Sequence, residues 1–585
     1  MYLTSDIIVE MLDKNKISGY SKLYVSSEIG LKKKTGDLFK YVLEDNEILK
    51  SDIVHIGDNI DGDIKVPEGM GIIAYRIPRS LDIAKFKHIH LKEWIDSVSV
   101  NKTPLLDAVV TSIVNRYYDD ELAVSNSLYE GNRFKFGYCA FGPLILGFTS
   151  WIRNELKNKN IKKVYFLSRD TKVVFDCFNL LYPNEGIQTS YLYSSRRSVK
   201  VPLYQSRIDL LSEVYKTIYS TTISKWLETR FGLTKDMYSE DVLAKFDLSG
   251  YDHPIGGKFS KEKLSGLVIA LSDKILKNAK EEKETLKNYL VSEGMDVKED
   301  VAIVDIGYAG TMQAAYRTIL QKNNIHGLYY ATFNTTIKNI DDLSLINGYS
   351  FNLGIPTSNK NGICTHRFFY ESIFCDADYS FVKPIKVGDS FDFIKTDFDD
   401  SVRQSVVKDV HAGVLALAQD LKESYGQETL ATPVDSELGA MLFDQFLKNP
   451  DLEDASIFKG VLFEDSVVPN ARRYLFVPDS LSSDKTAISN MIWKEAASKF
   501  FKINDNKKTP VKQPINKVIQ HSSTQENAVA AVKNPKLRAL ESRLIQMSLS
   551  DKKVKKYQRD RDLFFTDSKS SFITAYYKVL GRRFS

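Results

Sequence analysis

Long apolar runs, paired cysteines and excess charge are all scarce in this chain, and each scarcity removes a class of protein. The longest apolar stretch, CAFGPLILGFTSWI at 139–152, carries two glycines and a proline. It falls short of the roughly 18 residues that a membrane span requires, so it reads as buried core. No apolar signal segment opens the sequence. The four cysteines, Cys139, Cys177, Cys364 and Cys375, lack CxxC spacing. They indicate neither a disulfide framework nor a zinc site, and a reducing, cytoplasmic setting follows. The net charge of +5 is too small to argue for nucleic acid, and no motif that reads DNA or RNA is present. No fixed-period repeat is visible.

What remains is an ordinary globular composition, 43% apolar, 26% charged and 11% aromatic over 585 residues. Such a length suggests roughly three to five domains. Residues 1–100 alternate helical and strand patterns. DIIVEMLDKN and GDLFKYVLEDNEI read as helices; KLYVSSEIG, SDIVHIGDN and GMGIIAYRI read as strands, giving an α/β half-domain. A connecting segment occupies 101–130. A second α/β series, 131–400, runs through IKKVYFLSRD, QTSYLYSSRR, VAIVDIG and HGLYYATF. It is interrupted at about 205–295 by a helical insertion whose last helix Ser260 is placed to cap. Residues 401–503 are a mixed helical region with one clear helix, VVKDVHAGVLALAQDLKES. Residues 504–535, rich in Asn, Lys, Pro, Gln and Ser, read as a linker. The tail 536–585 places Leu537, Leu540, Leu544 and Met547 at helical spacing, then ten Lys/Arg against three Asp from Lys552 onward. Aromatics interleaved with cations suit an anionic membrane surface or an acidic partner; a solvated helix or short coiled coil fits equally well.

Two constellations carry chemistry. In HIGDNIDGDIKVPEGMG, Asp58 and Asp63 follow an apolar strand, and Lys33 stands upstream in GLKKKTGDLF. Carboxylates across a strand-end loop can hold Mg2+ beside a phosphate. The order and spacing resemble motifs III and IV of the haloacid dehalogenase superfamily, which implies a phosphate-orienting role for Lys33 and Mg2+ binding by Asp58 and Asp63. That family's nucleophile strand and its Ser/Thr strand have no counterpart here, and MYLTSDIIVEML resembles the stretch that follows them. The half-domain is therefore expected to be a remnant, with phosphatase activity doubtful.

The second constellation is VAIVDIGYAGTMQAA, where a strand ends on Asp305 and Gly307 and Gly310 lead into a helix starting at Thr311. Free amides and the positive dipole end of a helix start bind phosphate, and a strand-end carboxylate can accept from the vicinal hydroxyls of a furanose. Ser168, Arg169 and Asp170 lie at another strand-to-helix turn, and Arg196, Arg197 and Lys200 follow the next strand. Guanidinium groups suit bidentate phosphate recognition. The bland alternative for each is a helix cap or a surface ion pair. The Asp305 segment resembles the 5-phosphoribosyl 1-pyrophosphate (PRPP) loop of type I phosphoribosyltransferases, with one acid where that family has two. Together, FLSRD, LYSSRRSVKVP and DIGYAGTMQ downstream of the dehalogenase-like part resemble two-domain bacterial proteins that build ribofuranose-containing surface polysaccharides.

That resemblance implies a fold and a reaction. The fold would be α/β, a partial dehalogenase-type half-domain followed by a phosphoribosyltransferase-like domain. The reaction would be transfer of ribofuranose 5-phosphate from PRPP to a sugar hydroxyl of a lipid-linked glycan, as in capsule or O-antigen synthesis, with Mg2+ as cofactor. It also implies roles: Asp305 on the ribose hydroxyls; Gly307, Gly310, Thr311 and Gln313 at the 5-phosphate; Ser168, Arg169, Arg196, Arg197 and Lys200 at the pyrophosphate; Asp170 on Mg2+. HRFFYESIF offers Glu371 and His366 as candidate acceptor bases, with Glu371 taken for the role. The expected location is the cytoplasm or the inner face of the membrane, where polysaccharide assembly proteins could meet the tail. Two other classes stay open: a phosphohydrolase, and a non-catalytic assembly protein.

Overall fold

The computed structural model describes residues 2–508 apart from 121, 123–126, 355–361, 397–399, 465–471 and 478–490. The inner strand-forming runs of the middle region are apolar on both faces. Val301–Val304 is buried throughout, and so are all nine residues of Ile325–Phe333. Such runs belong to parallel sheets covered on both sides, and here they form the centre of a five-stranded one whose edge strands are less covered. In chain order the strands of the protein are β1 (Val54–Gly57), β2 (Ile73–Arg76), β3 (Lys163–Leu167), β4 (Gln188–Leu192), β5 (Thr221–Thr222), β6 (Pro254–Ile255), β7 (Val301–Asp305), β8 (Ile325–Phe333), β9 (Ile346–Gly354), β10 (Phe381–Val387), β11 (Ser390–Lys395), β12 (Leu462–Glu464) and β13 (Arg472–Tyr474). The central sheet has the order β4-β3-β7-β8-β9, with every pairing parallel.

Because alternate side chains point to opposite faces of a strand, each central strand divides its residues between two cores. Val164 and Phe166 of β3 and Ala302 and Val304 of β7 pack on one face, with Phe148, Ile152, Val174, Phe178 and Leu417. These come from the helices Gly142–Asn158, Lys172–Leu181 and Ser401–Ser424. Tyr165, Leu167, Val301 and Ile303 point the other way, onto Leu286 and Tyr289 of Ser272–Ser292 and Tyr316 and Ile319 of Thr311–Leu320. The result is a doubly wound three-layer α/β unit. A close helix crossing supports it. A Cβ on Gly413 would sit 2.1 Å from the Phe134 carbonyl oxygen and one on Gly137 2.0 Å from that of Val410, so only glycines allow this approach.

Between β4 and β7 the chain forms a helical unit with a core of its own, Leu210, Val214, Trp226, Leu227, Phe231, Leu264, Leu267 and Ile275. It also carries the short antiparallel pair β5–β6. Ser260 caps its penultimate helix, accepting from the Lys263 amide at 3.2 Å.

Two expectations are corrected, and a third segment gains a helix. KLYVSSEIG is not a strand: Ser26–Ile29 is a single helical turn closed by Gly30 at φ 78°. The connecting segment, for which no element was expected or excluded, contains a 14-residue helix, Pro104–Tyr117, with Pro at its start and Leu105, Leu106, Val109 and Ile113 buried. The stretch read as linker begins inside the helix Lys494–Lys508; the remainder of the linker and the basic tail lie outside the described residues. In the N-terminal region, β1 and β2 pair with each other in parallel. Val54 and Ile56 lie opposite Ile73 and Tyr75, and all four are more than half exposed. Among the described residues no helix is long and apolar enough to cross a membrane.

Candidate functional site

The order of the central sheet fixes where a site can form. From β3 the chain moves outward to β4, and from β7 it moves the opposite way to β8. The crevice between the carboxyl ends of β3 and β7 is thus the topological switch point, the usual ligand position in open α/β sheets. Asp305 is the last residue of β7, and Ser168, Arg169 and Asp170 follow β3 directly.

Asp305 is half-buried at the floor of this crevice. Burial and the nearby Asp170 charge push its carboxyl up to about 7, against Arg196 and the Ile306 and Gly307 amides. Burial also raises Asp170, against Arg169 and Arg196. Two carboxylates that share a partly desolvated site each disfavour the other's charge. Arg196 is exposed, and its charge reaches both. It opens a short helix that Ser195 caps by accepting from the Ser198 amide.

The loop after β7 is tied down along its far side. Ala331 and Phe333 of β8 donate to the carbonyls of Ile306 and Tyr308 at 3.2 and 2.9 Å, and the Thr336 hydroxyl donates to Tyr308 O at 2.8 Å. Gly307 has φ 135°, and a Cβ there would lie 2.2 Å from Ala331 O, so the loop can lie this close to β8 only with glycine. Gly310, at φ 68°, precedes the ten-residue helix Thr311–Leu320, and Thr311 itself is exposed at the helix start.

Other sequence candidates fall elsewhere. Gln313 is fully buried; its amide donates to Ile325 O and Leu345 O at 2.8 and 3.0 Å and its oxygen accepts from Tyr329. It fastens core strands and cannot reach a ligand. The Arg197 guanidinium forms a fork on buried Glu282, with Nη2 at 2.8 Å from Oε1, and Lys383 adds a contact at 3.1 Å. Lys200 pairs with Glu213. Ser168 ties two strand ends, donating to Ser194 O at 3.2 Å and accepting from the Ser194 amide at 3.0 Å. Arg169 donates to Asp378 O at 3.4 Å. Glu371 is half-buried near Arg367, 3.8 Å away, and its charge acts on the Tyr308 hydroxyl.

The N-terminal trio does not act as one. Asp63 is buried, with Lys33 at 2.6 Å and His55 at 3.1 Å from Oδ1 and the Asn59 amide donating to Oδ2 at 3.0 Å. Burial opposes its ionisation, but these partners outweigh it and hold the carboxyl at about 2. Asp58 sits apart, paired at 3.4 Å with exposed Arg79. This arrangement does not fit the expected Mg2+ site, because an ammonium group already neutralises Asp63 and the second acid faces solvent. His55 escaped the sequence reading, where it looked like one more strand residue.

Asp170 and Asp305 fit Mg2+ better. Among the described residues no cluster of three or more His, Cys, Asp or Glu is arranged for a metal, but Mg2+ commonly takes one or two carboxylates and completes its shell with water and substrate phosphates. Burial raises the proton affinity of Asp170, and burial with the Asp170 charge raises that of Asp305, a donor set that a divalent cation would relieve. Residues that the sequence did not single out also border this region. Lys216 and Arg230 of the helical unit line a cleft of about 640 Å3 together with Arg196, Lys200 and Thr311. No protein-family model matches the chain, and no curated protein does.

Proposed function

We propose that the β3/β7 crevice is the active centre of a glycosyltransferase that uses PRPP, passing ribofuranose 5-phosphate to a sugar hydroxyl of a lipid-linked glycan. One observation carries the reading. Two carboxylates with raised proton affinity, Asp170 and Asp305, stand at adjacent strand ends beside an exposed arginine, and an exposed helix start follows Asp305. Diphosphate, sugar hydroxyls and a terminal phosphate each have a complementary group there.

Within this reading Asp305 accepts from the ribose 2- and 3-hydroxyls, which favours its ionised form in the complex. The amides at Gly310 and Thr311, with the Thr311 hydroxyl, hold the 5-phosphate. Arg196 neutralises the departing pyrophosphate as positive charge develops at C1 of the ribose. Asp170, with Asp305 beside it, would hold Mg2+, which supplies charge neutralisation of the leaving group. Glu371 is the acceptor base in this scheme, taking the proton of the attacking hydroxyl. Arg197 and Gln313 are assigned no contact with the ribosyl donor, because their polar groups are already engaged, and Lys200 lies with Glu213 in the neighbouring cleft. No step is assigned to the N-terminal region.

The test is thermal stability of the purified chain with Mg2+ and PRPP, against ribose 5-phosphate and pyrophosphate controls. A ligand at about a hundredfold excess over its dissociation constant stabilises the folded state by roughly 2 to 3 kcal/mol. The expected result is a rise with PRPP that exceeds the rise with either control, the excess being lost in Asp305→Asn. No rise in the native chain, or an undiminished rise in the variant, would refute the reading.

A further inference from the structure

The helical unit presents charge to the crevice in an unbalanced form. Glu213, on the helix Arg207–Val214, is 1% exposed. Three cations converge on it: Lys200, Lys216 at 2.7 Å and Arg230 at 2.6 Å. Three cations against one carboxylate leave this wall of the cleft with a positive surplus. Asp209 also lines the cleft, but its Oδ2 accepts from the Gln205 and Ser206 amides at 2.9 Å within its own helix cap. Arg196 and Thr311 also line this cleft, and the Arg196 charge acts on both Asp170 and Asp305.

Like-charge crowding is visible in the groups themselves. Burial lowers the proton affinity of Lys200, Lys216 and Arg230 lower it further, and Glu213 offsets part of the shift. Lys216 is the most accessible of the three, with more than half its side chain exposed. Glu213 holds the cations in place with its own charge, and an incoming anion would find them already ordered, which reduces the entropic cost of binding.

We infer that Lys200, Lys216 and Arg230 form a second anion subsite, beside the ribosyl-donor site, that takes the diphosphate ester of a second substrate. That its occupant is a substrate rests on the transferase reading above; the anion site itself rests on the cleft and its charges. In this arrangement the α/β sheet holds the sugar donor while the insertion holds the diphosphate of the acceptor, and Arg196 stands between them.

The experiment is calorimetric titration of the full chain with inorganic pyrophosphate in EDTA. Without a divalent cation the two crevice carboxylates repel the probe, and the cationic wall remains. The native chain should bind, with affinity falling as salt rises. Lys216→Ala should weaken binding about tenfold and Lys216→Glu more; Glu213 keeps Lys200 and Arg230 in both, and a melting curve checks folding. Lys263→Glu, an exposed charge reversal outside the cleft lining, serves as control and should bind like the native chain. Farnesyl diphosphate and ADP, used as competitors, distinguish a lipid from a nucleotide source of the diphosphate. No binding by the native chain, equal binding by the Lys216 variants, or displacement by neither competitor would overturn the inference. A failed Mg2+–PRPP melt beside successful pyrophosphate binding would instead remove the transferase reading and leave the anion site standing.

Discussion

Replacing Asp305 by Asn should make the unliganded protein more stable at neutral and alkaline pH while abolishing the excess of its PRPP response over the controls. Asn matches Asp in size, and its oxygen can still accept from the Ile306 and Gly307 amides; the titrating charge is what disappears. In the folded chain burial and Asp170 raise the Asp305 carboxyl to about 7 from an ordinary 3.8. A raised folded value means that the associated stability is fully present below the unfolded value and is lost as pH climbs through the folded one. Below about pH 4 both states carry the proton and the charge costs nothing. From there to about pH 7 the unfolded chain releases its proton while the folded chain retains it. Each unit costs about 1.4 kcal/mol, so the full loss approaches about 4 kcal/mol for a rigid site and roughly half of that once the surroundings relax. Urea denaturation of the two proteins at pH 4, 6 and 8 isolates this group and its coupling to Asp170, because titrations elsewhere cancel in the difference. The variant's advantage should grow from near zero at pH 4 to about 2–4 kcal/mol at pH 8, and millimolar Mg2+ should narrow it. A pH-independent difference, or a variant less stable at pH 8, would refute the reasoning.

Two further outcomes follow from buried charge elsewhere. The Asp63 carboxyl is held at about 2, in spite of burial, by Lys33, His55 and Asn59. Its contribution is present above about pH 4 and is lost as pH falls toward 2, so Asp63→Asn should cost about 1–2 kcal/mol at pH 7 and progressively less below pH 4 in melts of both proteins. Glu282→Gln strands Arg197 and Lys383. Breaking a buried pair from one side typically costs about 3–5 kcal/mol, and denaturation should show it; a loss under about 1 kcal/mol would mean that water reaches the pair.

The central strands were legible because a doubly covered parallel sheet leaves little room for polar residues. The runs KVYFL, VAIVD and IHGLYYATF are strands for that reason. β9, INGYSFNLG, carries Asn and Gly, is half-exposed along most of its length, and passed unread. The helix Pro104–Tyr117 was legible in principle, from its leading proline and the apolar spacing of Leu105, Leu106, Val109 and Ile113. In the site, sequence adjacency misled. Arg196, Arg197 and Lys200 share one helical turn, yet Arg196 stays exposed while its neighbours are claimed by Glu282 and Glu213. Those partners come from remote helices of the insertion, and side-chain direction on a five-residue helix cannot be read from charge alone. For the same reason nothing in the sequence marks Lys216, just past a helix end, or Arg230, near the end of another, as partners of Glu213.

The seam between β3 and β7 bears on how the chain folds. Val164 pairs with Ala302, across the whole of β4 and the helical unit. Pairings this distant in sequence form slowly, because the entropy of closing the loop must be met before the contacts reward it. The helical unit has a core of its own, so it can collapse first and shorten the loop that remains. Closure of the seam then comes late, and until it does Asp170 and Asp305 are two ordinary solvated acids. A nascent or partly unfolded chain therefore carries none of the crevice's electrostatic penalty, which arises together with the crevice itself.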